Sequence, residues 1–197
     1  MIAGLILAAG ESRRMGRDKA LLTYQGRTFL ETIIAGLGAA KVEKVTVVLG
    51  HHAEVIQAAT NLAAVRVMVN HDYQQGQTSS LQLGLAAAAT DRPEAVILCL
   101  VDHPAISPEV LGKLIDCFES TRPPVIIPTY EGQRGHPVVI SQRLFPELLA
   151  LPPAEPANTV IRKYRDTTQF VEVADPGILL DVDDPAAYER LKEGTKQ

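Results

Sequence analysis

The residues best suited to chemistry lie near the start of the chain, in Gly10-Glu11-Ser12-Arg13-Arg14-Met15-Gly16-Arg17-Asp18-Lys19. They follow an apolar run, Leu5-Ile6-Leu7, that narrows to Ala8 and Ala9. Glycines permit turns that aim successive N–H groups at one oxyanion, and small residues let a ligand approach the main chain. Arg13, Arg14, Arg17 and Lys19 would then hold the charge that the amides orient. The layout is that of an anion cradle. It is neither of the two commonest glycine motifs for phosphate. A Walker A loop has four residues between its glycines and Lys directly after the second, whereas five intervene here and Lys19 lies three positions beyond Gly16. The pattern G-x-G-x-x-G is also absent. A basic surface loop would share this composition, but ligand crevices in open α/β sheets lie at the carboxyl ends of strands, where this loop stands.

Asp102 is the second feature, because it ends the apolar run 95–101. A carboxylate at that strand tip faces the same crevice, where a magnesium-bound triphosphate needs hard oxygen ligands. Magnesium keeps several waters and takes only one or two protein carboxylates. Candidates for a second ligand are Asp181, Asp183 and Asp184 in Leu180-Asp181-Val182-Asp183-Asp184-Pro185, where Asp183 and Asp184 are also placed to cap a helix begun by Pro185.

These groups must be positioned by the elements around them. Thr28 precedes an amphipathic helix through Phe29, Leu30, Ile33, Ile34 and Leu37, and 44–49 is a Val-rich strand ending at Gly50. A helix over 54–62 is expected to bury Val55, Ile56 and Ala59, and 65–69 forms a third strand. Gly76 to Ser80 opens a helix through Leu81, Leu85 and Ala88; 95–101 is a buried strand; Ser107-Pro108 starts a helix through Phe118; and 125–127 is a strand. Beyond it, Gly132-Gln133-Arg134-Gly135 is expected as a hairpin turn, 136–140 as a returning strand, and 141–151 as a helix. A helix near 158–164, a strand near 169–173, a short apolar piece at 178–180 and a last helix over 185–193 complete the chain. Strand and helix alternate, and the strands are continuously apolar, which predicts a parallel sheet covered on both faces.

The 197 residues suit one domain, in which 1–128 reads as a repeating α/β wind and 129–197 as a part of different character that includes the final helix. Hydrophobic residues make up 46% and charged residues 21%, which is ordinary for a globular protein. No apolar run approaches the roughly 20 residues that span a bilayer, and the start lacks a basic segment before its apolar run, so a cytoplasmic protein is expected. The net charge of −4 argues against general nucleic-acid binding. Cys99 and Cys117 are too far apart for a C-x-x-C site, Cys99 falls in a core strand, and His51, His52, His71 and His103 show no metal-binding spacing.

The run Leu7-Ala8-Ala9-Gly10-x-Ser12-x-Arg14-Met15-Gly16-x-x-Lys19 resembles the signature of the MobA/MocA-like nucleotidyltransferases, and the resemblance covers nearly the whole chain. It implies an α/β fold of three layers, a mostly parallel sheet with helices on both faces, of the Rossmann type found in nucleotide-diphospho-sugar transferases. It implies that Leu7, Ala8, Ala9, Gly10 and Ser12 wrap a nucleoside triphosphate, with Arg14 and Lys19 on its phosphates. Asp102 and Asp183 would hold Mg²⁺, Asn70 and Ser80 would place base and ribose, and Gly135, His136 and Pro137 would stand where the acceptor docks. Arg14, Lys19 and Asp102 are then the catalytic set. Members with Leu-Ala-Ala-Gly tend to use CTP, so the implied reaction is transfer of CMP to molybdopterin cofactor with release of pyrophosphate, the product going to a client molybdoenzyme. Other outcomes of the same resemblance are GTP with molybdopterin, an NTP with a sugar or polyol phosphate, or a nucleotide-binding chaperone without catalysis. Two departures stand out. His103 replaces a Gln or Met common among relatives, and 152–158 reads Pro-Pro-Ala-Glu-Pro-Ala-Asn where MocA-like members often carry Gly-Asp-x-Gly-Ala-Arg.

Overall fold

A computed structural model describes residues 1–194. Strand β1 (Ile2–Ala8) is buried at every position, because both of its faces are covered. Ile2, Ile6 and Ala8 join one apolar cluster, while Ala3, Leu5, Leu7 and Ala9 join another. That alternation is the period of two expected when successive side chains leave a strand on opposite sides. The next segments are a 3-10 turn (Lys19–Leu21), a small ribbon of β2 (Thr23–Tyr24) and β3 (Arg27–Thr28), helix α1 (Phe29–Ala39), β4 (Val45–Leu49), α2 (Ala53–Ala59) and β5 (Arg66–Val69). Then come α3 (Gln77–Ala89), β6 (Ala95–Leu100), α4 (Pro108–Thr121), β7 (Val125–Tyr130), β8 (Gln133–Arg134) and β9 (Val138–Ser141). The chain ends with α5 (Phe145–Leu149), α6 (Asn158–Ile161), β10 (Gln169–Glu172) and α7 (Pro185–Gly194).

The main sheet runs β10-β7-β9-β6-β1-β4-β5, with β8 paired to β7. Pairings of β1 with β4 and β6, of β4 with β5, and of β7 with β10 are parallel; β9 runs antiparallel to both β6 and β7. Side chains of α1, α2 and α4 pack on one face and those of α3, α5 and α6 on the other, so the fold is the expected three-layer α/β arrangement. From β1 the chain winds outward through β4 to β5, then returns to lay β6 on the far side of β1. Such a reversal between β1 and β6 is where open α/β sheets leave a crevice at their carboxyl ends.

Local chemistry explains most boundaries. Thr28 caps α1 in a reciprocal box: its hydroxyl accepts from the Glu31 amide and the Glu31 carboxylate accepts from the Thr28 amide. Ser107 caps α4 ahead of Pro108. Cys99 is buried, and burial pushes its thiol up to about 12, which suits a core residue.

Several expectations need correction. Helix α2 buries Ala53 and Ile56 while Val55 and Ala59 are exposed, because this seven-residue helix, leading to the edge strand β5, covers only a narrow strip. The hairpin turn is Glu131-Gly132, with φ of 50 and 75°, and Gln133–Arg134 is the strand β8. Two successive left-handed residues match the right-handed twist of a tight hairpin. The expected helix 141–151 is a 3-10 turn (Gln142–Leu144) followed by the short α5, α6 passes into another 3-10 segment (Arg162–Thr167), and 178–180 belongs to a 3-10 turn (Pro176–Leu179).

A third apolar cluster lies outside the sheet. Met15, Leu22, Phe29, Val182, Ala187, Tyr188 and Leu191 pack together, so α7 is seated on the base of the glycine loop. The Tyr188 ring meets Phe29 edge-on at 5.8 Å, and its hydroxyl donates to the Thr23 carbonyl at 2.8 Å. No helix among the described residues is long and apolar enough to cross a membrane.

Gly50 marks the closest approach beside the crevice: a Cβ there would lie 2.7 Å from the Ala9 carbonyl oxygen and 2.8 Å from Tyr73 Cβ. The first of these is backbone that also accepts from the His51 amide at 3.1 Å. Gly50→Ala is therefore expected to destabilise the fold by about 1–3 kcal/mol, as overpacking does, which urea unfolding would measure.

Candidate active site

Ser12 shapes the loop that follows β1. It holds a left-handed φ of 51°, its carbonyl accepts from the amides of Met15 and Gly16 at 3.0 Å each, and its hydroxyl accepts from the Lys19 amide at 3.2 Å. Gly16 closes this turn at φ 69°. Among the described residues, no protein acceptor engages the amides of residues 10–14, which therefore remain available on the crevice wall. Lys19 is buried, and its ammonium spans the crevice to meet Asp102 Oδ2 at 3.2 Å and Asp183 Oδ1 at 2.5 Å. Arg14 donates to the other oxygen of Asp183. Arg13 turns instead to Glu11 at 2.5 Å, and Arg17 lies over the Tyr188 ring.

Asp102 stands two residues past the end of β6, and the segment around Val182 is tied to it by the Val182 amide donating to the Asp102 carbonyl at 2.9 Å. Val182 is buried in the third cluster, so alternation sends its neighbours the other way: Asp183 lines the crevice, and Asp181, exposed, lies beside Asp102 and His103. Asp184 is used differently. Its carboxylate accepts from the Ala187 amide at 2.8 Å as the cap of α7.

A cavity of about 620 Å³ occupies the crevice, bounded by the glycine loop, Lys19, Asp102 and Asp183, with Tyr73, Gln74 and Ser80 opposite. Of the residues singled out from sequence, Leu7, Ala9, Gly10, Ser12, Arg14, Lys19, Ser80, Asp102 and Asp183 line it. Ala8 faces the opposite sheet face, as β1 alternation requires. Asn70 is buried behind the wall: its amide donates to the hydroxyls of Ser79 and Ser80 at 2.9 Å each, and its carbonyl accepts from the Asp72 amide. Asn70 thus fixes the Ser80 hydroxyl. Gly135, His136 and Pro137 do not line the cavity; His136 stacks on His103 with ring centroids 5.0 Å apart, behind Asp102.

The electrostatics are those of an incompletely neutralised acid cluster. The hydrogen bond from Lys19 leads the causes that hold the Asp183 carboxyl below its usual value, with Arg14 assisting. Asp181 is pushed up by desolvation and by the charges of Asp102 and Asp183. Burial holds His103 down, and burial together with its neighbour His103 holds His136 down to about 4. Asp102 Oδ1, His103 Nδ1 and His136 Nδ1 are buried without a hydrogen-bond partner among the described residues. One ligand atom each from Asp102, His103 and Asp181 can lie within 4.8 Å of one another. An unpaired buried carboxylate oxygen beside two further carboxylates is a donor set that fits a hard divalent cation.

One grouping escaped the sequence reading. Asp18, His51 and His52 also bring three ligand atoms within 4.8 Å. Adjacency of the two histidines was visible, but Asp18 stands 34 positions from His52 and only the fold joins them.

Residues 4–168 match the profile of the MobA-like NTP transferase domain. Among curated relatives, nicotine blue oxidoreductase of Paenarthrobacter nicotinovorans is 31% identical, with 96% of each chain covered. Molybdenum cofactor cytidylyltransferase of Escherichia coli is 25% identical over 96% of this chain and 94% of its own. A "probable molybdenum cofactor guanylyltransferase" of Mycobacterium avium is 33% identical over 68% of this chain and 66% of its own. Rv0371c of Mycobacterium tuberculosis superposes with a TM-score of 0.85 at 30% identity, covering 98% of this chain and 97% of that one. The same protein has been solved in complex with manganese, with a TM-score of 0.80, 28% identity and 98% of each chain covered. CMP:2-keto-3-deoxy-manno-octonic acid synthetase shares the fold, with a TM-score of 0.78 at 15% identity over 100% of this chain and 98% of that one.

Asp181 and Asp183 make opposite contributions to stability. A depressed carboxyl such as Asp183 stabilises the fold above the unfolded value of about 3.9, and that contribution is lost as pH falls through its folded value. A raised one such as Asp181 favours the fold only at low pH, and the contribution is lost as pH rises through its folded value. In metal-free buffer at pH 7, Asp181→Asn should raise the melting temperature and Asp183→Asn should lower it. The Asp181 difference should vanish in thermal scans near pH 3, and the Asp183 difference should shrink as pH falls below the unfolded value of about 3.9.

Proposed function

Because the chain belongs to the MobA-like NTP transferase family, we propose that it transfers CMP from CTP to the phosphate of molybdopterin cofactor and releases pyrophosphate. The observation that carries this reading is Lys19 bridging Asp102 and Asp183 across the crevice. A cation between two carboxylates marks a place for positive charge, which Mg²⁺ held by Asp102 and Asp183 would supply in the complex. The manganese complex of Rv0371c supports a divalent ion in this fold. When bound, the ion supplies charge neutralisation at the phosphates.

The chain's own residues supply the rest. Lys19, freed from the carboxylates, and Arg14 hold the phosphates and stabilise charge on the departing pyrophosphate. Amides of residues 10–14 orient the triphosphate, and Ser12 keeps their turn in shape. Ser80, fixed by Asn70, faces the base edge, and Leu7, Ala8, Ala9 and Gly10 let the nucleotide lie close to the backbone. Residues 1–128 thus take the nucleotide, and 129–197 contribute the acceptor side, with Gly135, His136 and Pro137 behind Asp102. A phosphate oxygen of the acceptor attacks the α-phosphorus, the bond from that phosphorus to the bridging oxygen breaks, and its electron pair leaves with pyrophosphate. No covalent enzyme intermediate is required, since positioning and charge stabilisation carry reactions of this type.

The choice of CTP rests on Leu7-Ala8-Ala9-Gly10 and on the E. coli cytidylyltransferase; GTP, or a sugar or polyol phosphate as acceptor, uses the same machinery. A second reading follows nicotine blue oxidoreductase, under which the crevice would serve an oxidation–reduction instead. Thermal-shift titration separates these. CTP with Mg²⁺ should stabilise the protein by about 2.7 kcal/mol at a hundred times its Kd, more than the other three NTPs or NADPH do at the same concentration. With CTP and metal-loaded molybdopterin, pyrophosphate should accumulate. Asp102→Ala should abolish that release with the fold intact, and Lys19→Ala should lower kcat on the order of 100-fold or more. Binding of both substrates without pyrophosphate release would instead mark a chaperone that delivers cofactor to a client molybdoenzyme.

A further inference from the structure

The grouping of Asp18, His51 and His52 stands apart from the acid cluster. It shares no residue with the acid cluster and lies past the end of β4, on the opposite flank of β1 from β6 and Asp102. Consecutive residues in an extended chain point apart. Here His52 adopts a left-handed φ of 50° and forms a bridge with Gly50, which folds the pair so that the two rings stack with centroids 3.7 Å apart. His52 Nδ1 meets both oxygens of Asp18, at 3.2 and 3.1 Å. His51 Nδ1 is bonded to the Tyr73 hydroxyl at 3.2 Å, which orients the ring and leaves Nε2 as its ligand atom. The His51 amide is itself fixed on the Ala9 carbonyl.

We propose that Asp18, His51 and His52 form a binding site for a borderline divalent transition metal of the zinc class, distinct from the magnesium crevice. Two imidazoles and one carboxylate suit Zn²⁺, Ni²⁺ or Cu²⁺, whereas Mg²⁺ prefers oxygen alone. Bonds of about 2.0–2.2 Å to a tetrahedral ion set ligand atoms about 3.3 Å apart. The His52 to Asp18 separation already meets this, and the ligand atom of His51 lies within 4.8 Å of both. The ion replaces the proton shared between His52 and Asp18. Tyr73, whose hydroxyl orients His51 and whose ring lines the nucleotide cavity, is the outer-sphere partner.

The consequence is mechanical. Asp18 immediately precedes Lys19, so an ion here clasps the far end of the glycine loop to the β4–α2 junction and lowers the cost of ordering it around a ligand. The reaction itself does not pass through this ion.

Chelator-treated protein, held in excess Mg²⁺ to occupy the acid crevice, would be titrated with Zn²⁺ by calorimetry and with Co²⁺ by visible absorption. Wild type and Asp102→Asn should each bind one equivalent, with the ligand-field bands of a nitrogen–oxygen site. His52→Gln and Asp18→Asn should weaken binding at least tenfold, since even an outer-sphere loss costs about 10- to 100-fold. No equivalent bound by wild type in Mg²⁺, or binding lost in Asp102→Asn and retained in His52→Gln, would overturn the site. His52 is exposed, so its variant should fold, and metal-free melting would verify this. Anomalous scattering from zinc-soaked crystals gives an independent answer: density among Asp18, His51 and His52 supports the site, and density elsewhere alone refutes it.

Discussion

Everything about this molecule's crevice depends on one ammonium group. Lys19 is buried and lies between Asp102, from the end of β6, and Asp183, from just before α7, so three distant parts of the chain meet at one charge. At an effective dielectric near 20, unit charges 4 Å apart interact by about 4 kcal/mol, but removing them from water offsets much of that. Such a cluster is therefore a poor source of net stability. It is an effective registration device, because any misplacement leaves a carboxylate unpaired. Under the proposed function the same charge balance makes the site responsive: a polyphosphate would offer Lys19 and Arg14 other partners and leave the carboxylates to another cation, so that metal and nucleotide would be complementary halves of one exchange.

Packing outside the sheet makes this exchange possible. Val182 is anchored among Met15, Phe29 and Tyr188, and its amide is bonded to the Asp102 carbonyl, so Asp183 is held at the crevice, and Asp181 beside Asp102 and His103, by burial of the residue between them. Asp184 caps α7 and thereby fixes where the helix begins. Hydrophobic contacts and one helix cap thus aim the carboxylates, with no rigid strand beneath them.

Much of this was legible in the residues. An apolar run collapsing into small residues located β1 and its loop, Ser107-Pro108 located α4, and an apolar run ending in Asp102 located the other wall. These signals are local and their physics is strong. Asp183 could not be separated from Asp184 by composition, because the choice depends on which of them meets the first free amides of α7. Asn70 was expected at the ligand and is instead one layer behind it, holding Ser80. Burial of that kind is a property of the assembled wall. Val55 and Ala59 followed a helical period that the fold does not use, since α2 has too little to cover. His51 and His52 looked unremarkable until the backbone turned their rings together beside Asp18.

The hydrogen bond between Arg14 and Asp183 joins residues 169 positions apart. On a ribosome, the glycine loop emerges and waits while the sheet assembles beside it, because the acid that completes the crevice is made 169 positions after Arg14. Contacts of such sequence separation are slow to form. Until Asp183 follows, the nascent chain thus carries Arg14 without its carboxylate partner.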